Sequence, residues 1–141
     1  MIILHDNDGS FGPLEDVDGF LARIRTGEKE TWQGETGQVG LEHRGPAGSA
    51  WLFLSRVAED RFLIFSQRPS GEKIYAVDPQ SQAGNAREHL LSGRLVRIAD
   101  ADLISAAKAV DAARYFVNEE GLLTPIVHWR KNGEPYWPDF G

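Results

Sequence analysis

Between residues 39 and 77 the chain carries four short segments rich in apolar residues, separated by turn formers, and this pattern constrains the fold more than any other feature. The segments cover residues 39–43, 50–57, 61–67 and 73–77. Gly45-Pro46-Ala47-Gly48, Ala58-Glu59-Asp60 and Pro69-Ser70-Gly71 separate them. Short strands divided by such signals are the pattern of an antiparallel meander. In the second segment, Trp51, Phe53 and Ser55 fall on one face, and Leu52, Leu54 and Arg56 fall on the other.

The flanks are of mixed type. Residues 2–4, Ile2-Ile3-Leu4, predict a first strand, followed by the turn cluster Asp6-Asn7-Asp8-Gly9-Ser10. Val17, Leu21 and Ile24, with Phe20 beside them, predict a helix over 14–26 that ends at Gly27. Residues 28–37 and 78–86 are polar and are expected to be loops. A strand is expected over 94–98, with Leu95 on one face and Val96 and Ile98 on the other. The clearest helix is predicted over 102–118, with an apolar stripe of Leu103, Ala107, Val110 and Phe116 or Val117, supported by Ala106 and Ala113. Asp100 or Asp102 is expected to cap it and Gly121 to end it. Residues 124–130 read as a last strand. The Pro- and Gly-bearing tail 132–141 reads as irregular. The fold class is therefore α+β: a mainly antiparallel sheet, a long helix from the C-terminal half packed on one face, and a shorter N-terminal helix.

At 141 residues, with no repeat, linker or low-complexity tract, one domain is the economical reading for 1–141. Cysteine is absent, so neither disulfides nor thiol chemistry is available. No run approaches the roughly 18 apolar residues of a membrane span, and the start of the chain lacks the pattern of a signal peptide; a cytoplasmic protein is expected.

The chemical motifs tested mostly fail. Asp6-Asn7-Asp8-Gly9-Ser10 opens like a calcium loop, but Phe11 and Val17 stand where that loop needs Gly and Glu. The glycines at 34, 37 and 40 are not followed by Gly-Lys-Ser/Thr, so no P-loop is present. His5, His43, His89 and His128 are scattered and show no helical metal spacing. Ser10, Ser55 and Ser105 lack the hydrolase elbow. No catalytic residue, metal or cofactor is expected. The fold can still bring His5 and His128 to a carboxylate, which keeps a small enzyme as a rival reading.

Charge points toward a protein partner. The formal net charge is −6. Residues 1–30 hold seven acids against three bases, while 31–100 balance and 101–141 hold six against four. Bases and acids interleave without a basic stripe, so direct nucleic-acid binding is not expected. An acidic field attracts basic partners, and it also keeps proteins soluble; both readings stand. On the first, Asp6, Asp8, Glu15, Asp16 and Asp18 face the partner. Trp32, Tyr136 and Trp137 are then the aromatic anchors. The tail aromatics can instead close one end of the core.

A resemblance sharpens this. Leu95-Val96-Arg97-Ile98, Asp102-Leu103-Ile104-Ser105-Ala106-Ala107-Lys108-Ala109-Val110, Ala113-Arg114-Tyr115-Phe116-Val117 and Ile126-Val127-His128-Trp129 follow one another. This run resembles the C-terminal half of immunity proteins of bacterial polymorphic-toxin systems, the first-numbered Imm family above all. The likeness covers roughly residues 39–130. It departs in the aromatic tail after Trp129 and in the Asp6–Asp8 segment. What the resemblance implies is a cytoplasmic antidote that binds a secreted toxin domain and blocks its active site by stoichiometric binding; a monomer without cofactor is expected, the oligomeric state being left open by the sequence. Such toxins are often nucleic-acid deaminases or nucleases, whose basic surfaces suit an acidic inhibitor. An effector-secretion chaperone is the rival binding function.

Overall fold

A computed structural model of the chain describes residues 1–27, 32, 38–58, 60–79, 86–91 and 94–131. The meander forms as expected. β3 (Val39–Gly45), β4 (Gly48–Ala58), β5 (Arg61–Gln67) and β6 (Lys73–Val77) pair antiparallel in sequence order. β1 (Ile2–His5) adds beside β3, and a short strand that the sequence reading did not include, β2 (Phe11–Pro13), adds beside β1. β9 (His128–Lys131) closes the other edge against β6, giving the order β2-β1-β3-β4-β5-β6-β9.

α1 (Val17–Thr26) and α2 (Ala106–Asn118) cover one face of this sheet. The alternation of each strand supplies the apolar layer beneath them. Leu41, Leu52, Leu54, Ile64 and Ala76 meet Phe20, Leu21 and Ile24 of α1 and Ala109, Val110, Ala113 and Phe116 of α2. The alanines of α2 bring its backbone close to the sheet and to α1. The expected stripe was out of phase at one position: Ala107 is exposed, and Ala106 and Ala109 take the core positions.

Both helices begin later than their apolar spacing suggests, because side-chain caps decide the start. Asp16 accepts from the Gly19 amide at 2.9 Å and sets α1 to begin at Val17 rather than 14. Ser105 accepts from the Lys108 amide at 3.3 Å and caps α2, the role expected of Asp100 or Asp102. Upstream, Ile104 is engaged by Phe62, with amide–carbonyl bonds of 2.7 and 2.8 Å in both directions, so 103–104 are extended. Asp100–Asp102 forms a single 3-10 turn.

The last strand is shorter than the expected 124–130. Pro125 has no amide to give a ladder. The Thr124 hydroxyl accepts from the Ile126 amide at 3.3 Å, and the Thr124 carbonyl accepts from Trp129 Nε1 at 2.8 Å. Pairing therefore begins only at His128.

β7 (Ala86–Leu91) and β8 (Arg94–Ala99) form a separate antiparallel pair. Only β8 was expected. Its Leu95 is 59% exposed while Ile98 is buried, the two-faced strand its alternation predicts. Ile98 joins Leu103, Leu63 and Val57 in a second, smaller core on the sheet face that carries no helix. Among the described residues the pair covers one end of that face, and no helix lies over the rest, the open face of the sheet.

Candidate functional site

The open face is organised by register. Phe11 pairs with His5, His5 with Gly40, Gly40 with Phe53, Phe53 with Phe65, Phe65 with Tyr75, and Tyr75 with Arg130. A single line thus crosses all seven strands and carries a ring on five of them. Strand pairing places these side chains on one face, and close packing of neighbours turns them into a ladder. Phe11 and His5 stack with centroids 5.5 Å apart, Phe53 and Phe65 at 4.7 Å, and Phe65 and Tyr75 at 5.7 Å.

β3 contributes no ring to this line, and Gly40 is what keeps the line unbroken there. A Cβ at Gly40 would stand 3.2 Å from a Phe53 ring carbon and 3.6 Å from Trp51. Without one, both rings settle over β3. Trp51, two residues before Phe53 and nearly parallel to it at 5°, then reaches His5 at 4.6 Å across the strand between them.

His5 is fixed by a neighbour on its own face of the sheet. Its Nε2 donates to Glu42 at 3.0 Å, and the same carboxylate accepts from the Ser49 hydroxyl and from Arg44 Nε. The Glu42 side chain is only 7% exposed. Burial pushes its carboxyl group up, but the hydrogen bonds from Ser49, His5 and Arg44 outweigh burial and hold it below the usual glutamate range. Glu42 accepts from both His5 and Ser49, so the Ser49 hydroxyl is directed at the carboxylate and not at His5, and the three residues orient the His5 ring.

Beside His5 lies a pocket of about 280 Å³, whose lining includes Asp6, Ser10, Gln38, Gly40, Trp51 and Phe53. A second cleft, about 420 Å³, lies against β7 and takes in Arg61, Asp78, Arg87, His89 and Asp100. Its charges are tied to one another or to neighbours: Arg87 to Asp100 at 3.6 Å, Arg61 to Asp60 at 3.0 Å and Asp78 to Lys108 at 2.8 Å. Of the histidines considered for an acid–base site, His5 bonds Glu42 rather than Asp6 or Asp8, and His128 lies far from it. β1 and β9 are five strand spacings apart, about 24 Å. No three His, Asp or Glu side chains among the described residues are grouped to hold a metal.

The expected partner-facing residues separate into three groups. Asp6 and Asp16 have structural duties. Asp6 clamps Arg23 with two bonds of 2.8 and 2.9 Å, tying the β1–β2 turn to α1, and Asp16 is the α1 cap. Glu15 and Asp18 are exposed, as is Asp8, which accepts from the Ser10 amide and hydroxyl. Trp32 is fully buried, edge-on to Phe62 at 5.3 Å, with Arg23 over its ring at 5.0 Å. This corrects its expected place as a surface anchor: a ring between two buried layers holds the core. Tyr136 and Trp137 lie outside the described residues.

The aromatic line itself was not legible as a site. Each ring reads as a strand residue on its own, and only the register aligns Phe11, His5, Phe53, Phe65 and Tyr75. The one signal available was Trp51, Phe53 and Ser55 sharing a face opposite Leu52 and Leu54. No described helix is long and apolar enough to cross a membrane. No protein-family model matches this chain, and no curated protein matches it.

Proposed function

We propose that this chain is a binding protein of the immunity type, which neutralises a secreted toxin domain by covering it with the open face of its sheet. The observation that carries the reading is the aromatic line from Phe11 to Tyr75. Five rings on one unhelical face, with Phe11 71% exposed at its end, make an apolar ridge of the kind that forms the centre of protein interfaces. The resemblance of residues 39–130 to immunity proteins supplies the class of partner, and the acidic balance suits the basic surface of a nuclease or deaminase. A cytoplasmic site of action follows from that role.

The way the rings stand favours a protein over a nucleic acid. A base-stacking platform offers ring faces to solvent. Here interplanar angles of 14°, 5° and 21° turn the faces toward neighbouring rings, so the ladder offers edges. Edges and rims suit apolar side chains. A secretion chaperone would hold an unfolded segment and is the rival; a pre-ordered, side-chain-locked face suits a folded surface better.

The experiment is co-production with the toxin domain encoded beside this chain. A one-to-one complex that protects the producing cell is expected, and Phe53→Ser with Phe65→Ser is expected to abolish protection while the protein stays folded. No toxin reading frame nearby, no complex, or full protection by the double variant would overturn the reading.

A further inference from the structure

The aromatic line changes its tilt at one point. His5 and Trp51, with centroids 4.6 Å apart, meet at 52°, the widest angle along the ladder. The 280 Å³ pocket lies there, and its lining joins the rings of His5, Trp51 and Phe53 to Asp6, Ser10 and Gln38. Its size is just below the roughly 300–1,000 Å³ of small-molecule sites, which suits one long side chain.

The geometry points to this pocket as a socket for a single basic side chain, arginine or lysine, presented by the partner protein; this rests on the reading that the open face binds a protein. Aromatic rings attract cations through their π faces, and a tilt between neighbours leaves part of a face unstacked. Charge agrees. Asp6 lines the pocket and Asp8 lies in the same turn; among the described ion pairs Arg23 answers Asp6, and His5 and Arg44 answer Glu42, so the charge of Asp8 is the one left to attract a cation. The Ser10 hydroxyl, and then its amide, hold the Asp8 carboxyl below the usual aspartate range, so that charge persists in mild acid. An acidic side chain would meet repulsion there. Gly40 gives the socket room, since a Cβ there would stand 3.2 Å from the Phe53 ring and press on it.

The test uses the full chain and a pair of probes alike in shape, N-acetyl-arginine amide and N-acetyl-citrulline amide. Each is titrated while NMR follows the Trp51 indole N–H and the Gly40 amide. Saturable shifts at both positions are expected with the arginine probe, which should bind about fivefold tighter than citrulline. They should vanish in Trp51→Leu and weaken several-fold in Asp8→Asn, both checked as folded by their amide spectra; Phe53→Leu replaces Trp51→Leu if that variant does not fold. Equal affinity for the two probes, or arginine shifts that survive the loss of the ring, would overturn the socket. No toxin is needed, so the two ideas fail separately. A failed titration beside an intact toxin complex removes only the socket, while saturable arginine binding without any complex removes only the protein-binding role.

Discussion

Glu42, buried on β3, accepts a hydrogen bond from His5 Nε2 on the neighbouring strand β1, and through it the carboxylate decides how the aromatic ladder begins. The folded state holds this carboxyl group below its ordinary range, so it binds fewer protons than the unfolded chain in mild acid. Its contribution is therefore complete above the usual glutamate value of about 4.3 and is lost as pH falls through the lower folded value. Wild type is expected to lose stability over that window, and Glu42→Gln to lose less, having started on the order of 1–2 kcal/mol lower at pH 7. Urea melts from pH 7 to pH 3 check this; parallel curves for the two proteins would remove Glu42 as the source.

The acidic N-terminal region divides into structural and steering groups, and kinetics tells them apart. Asp8, Glu15 and Asp18 are exposed. Neutralising these three together is expected to leave the melting temperature nearly unchanged and to slow association with a basic partner, with added salt shrinking the difference. Asp16→Ala, by contrast, removes a helix cap and should cost about 1 kcal/mol of stability with normal association. Stopped-flow association at two salt concentrations decides the matter; a triple variant that associates like wild type at low salt takes these acids out of the interface.

The turn after α2 tests a backbone requirement. Gly121 has φ of 86°, and its amide donates to the Phe116 carbonyl at 2.8 Å, the long 6→1 bond of a Schellman ending. A Cβ there would stand 3.0 Å from the His43 Cβ and 3.3 Å from the Ala50 Cβ, so strain and contact add. Gly121→Ala is expected to cost about 1–3 kcal/mol by chemical denaturation. A change below a few tenths would show that the turn relaxes freely.

What was legible in the sequence follows from which signals are local. The strands at 61–67 and 73–77 were read with their observed bounds because short apolar runs and the turn residues around them are both local. Gly121 was read as a helix terminator for the same reason. Ser105 and Asp16 shifted the helix starts by a few residues, since a cap competes with apolar spacing, and Asp100 and Asp102 are cap formers as good as the Ser105 that serves. β2 and β7 were missed because short strands exist only through their partners: Phe11–Pro13 has β1, and Ala86–Leu91 has β8. The site was least legible. Trp32 looked like a surface anchor amid polar residues, and nothing in its neighbourhood announces that Phe62, thirty residues on, will pack against it.

Arg56 shows the same limit and carries the last prediction. Alternation put it on the inward face with Leu52 and Leu54, where a charge is unexpected, and there it is, 1% exposed. Its guanidinium lies over Phe62 at 4.6 Å and over Trp32 at 5.7 Å, and its Nη2 donates to the Ile24 carbonyl. Ile24 is in the last turn of α1, so the positive charge meets the negative end of the helix macrodipole. Planarity matters as well, since a guanidinium can lie flat on a ring while its edge donates. Arg56→Ala removes the packing, the ring contacts and the C-terminal partner together and is expected to cost about 3 kcal/mol. Arg56→Met keeps a stem of similar length against both rings and removes a buried charge, so it is expected to lose clearly less. Urea midpoints for the two variants give the order. If Met is as damaging as Ala, the charge on the α1 carbonyl outweighs the packing; if neither moves the midpoint, Arg56 does not join β4 to α1 in solution.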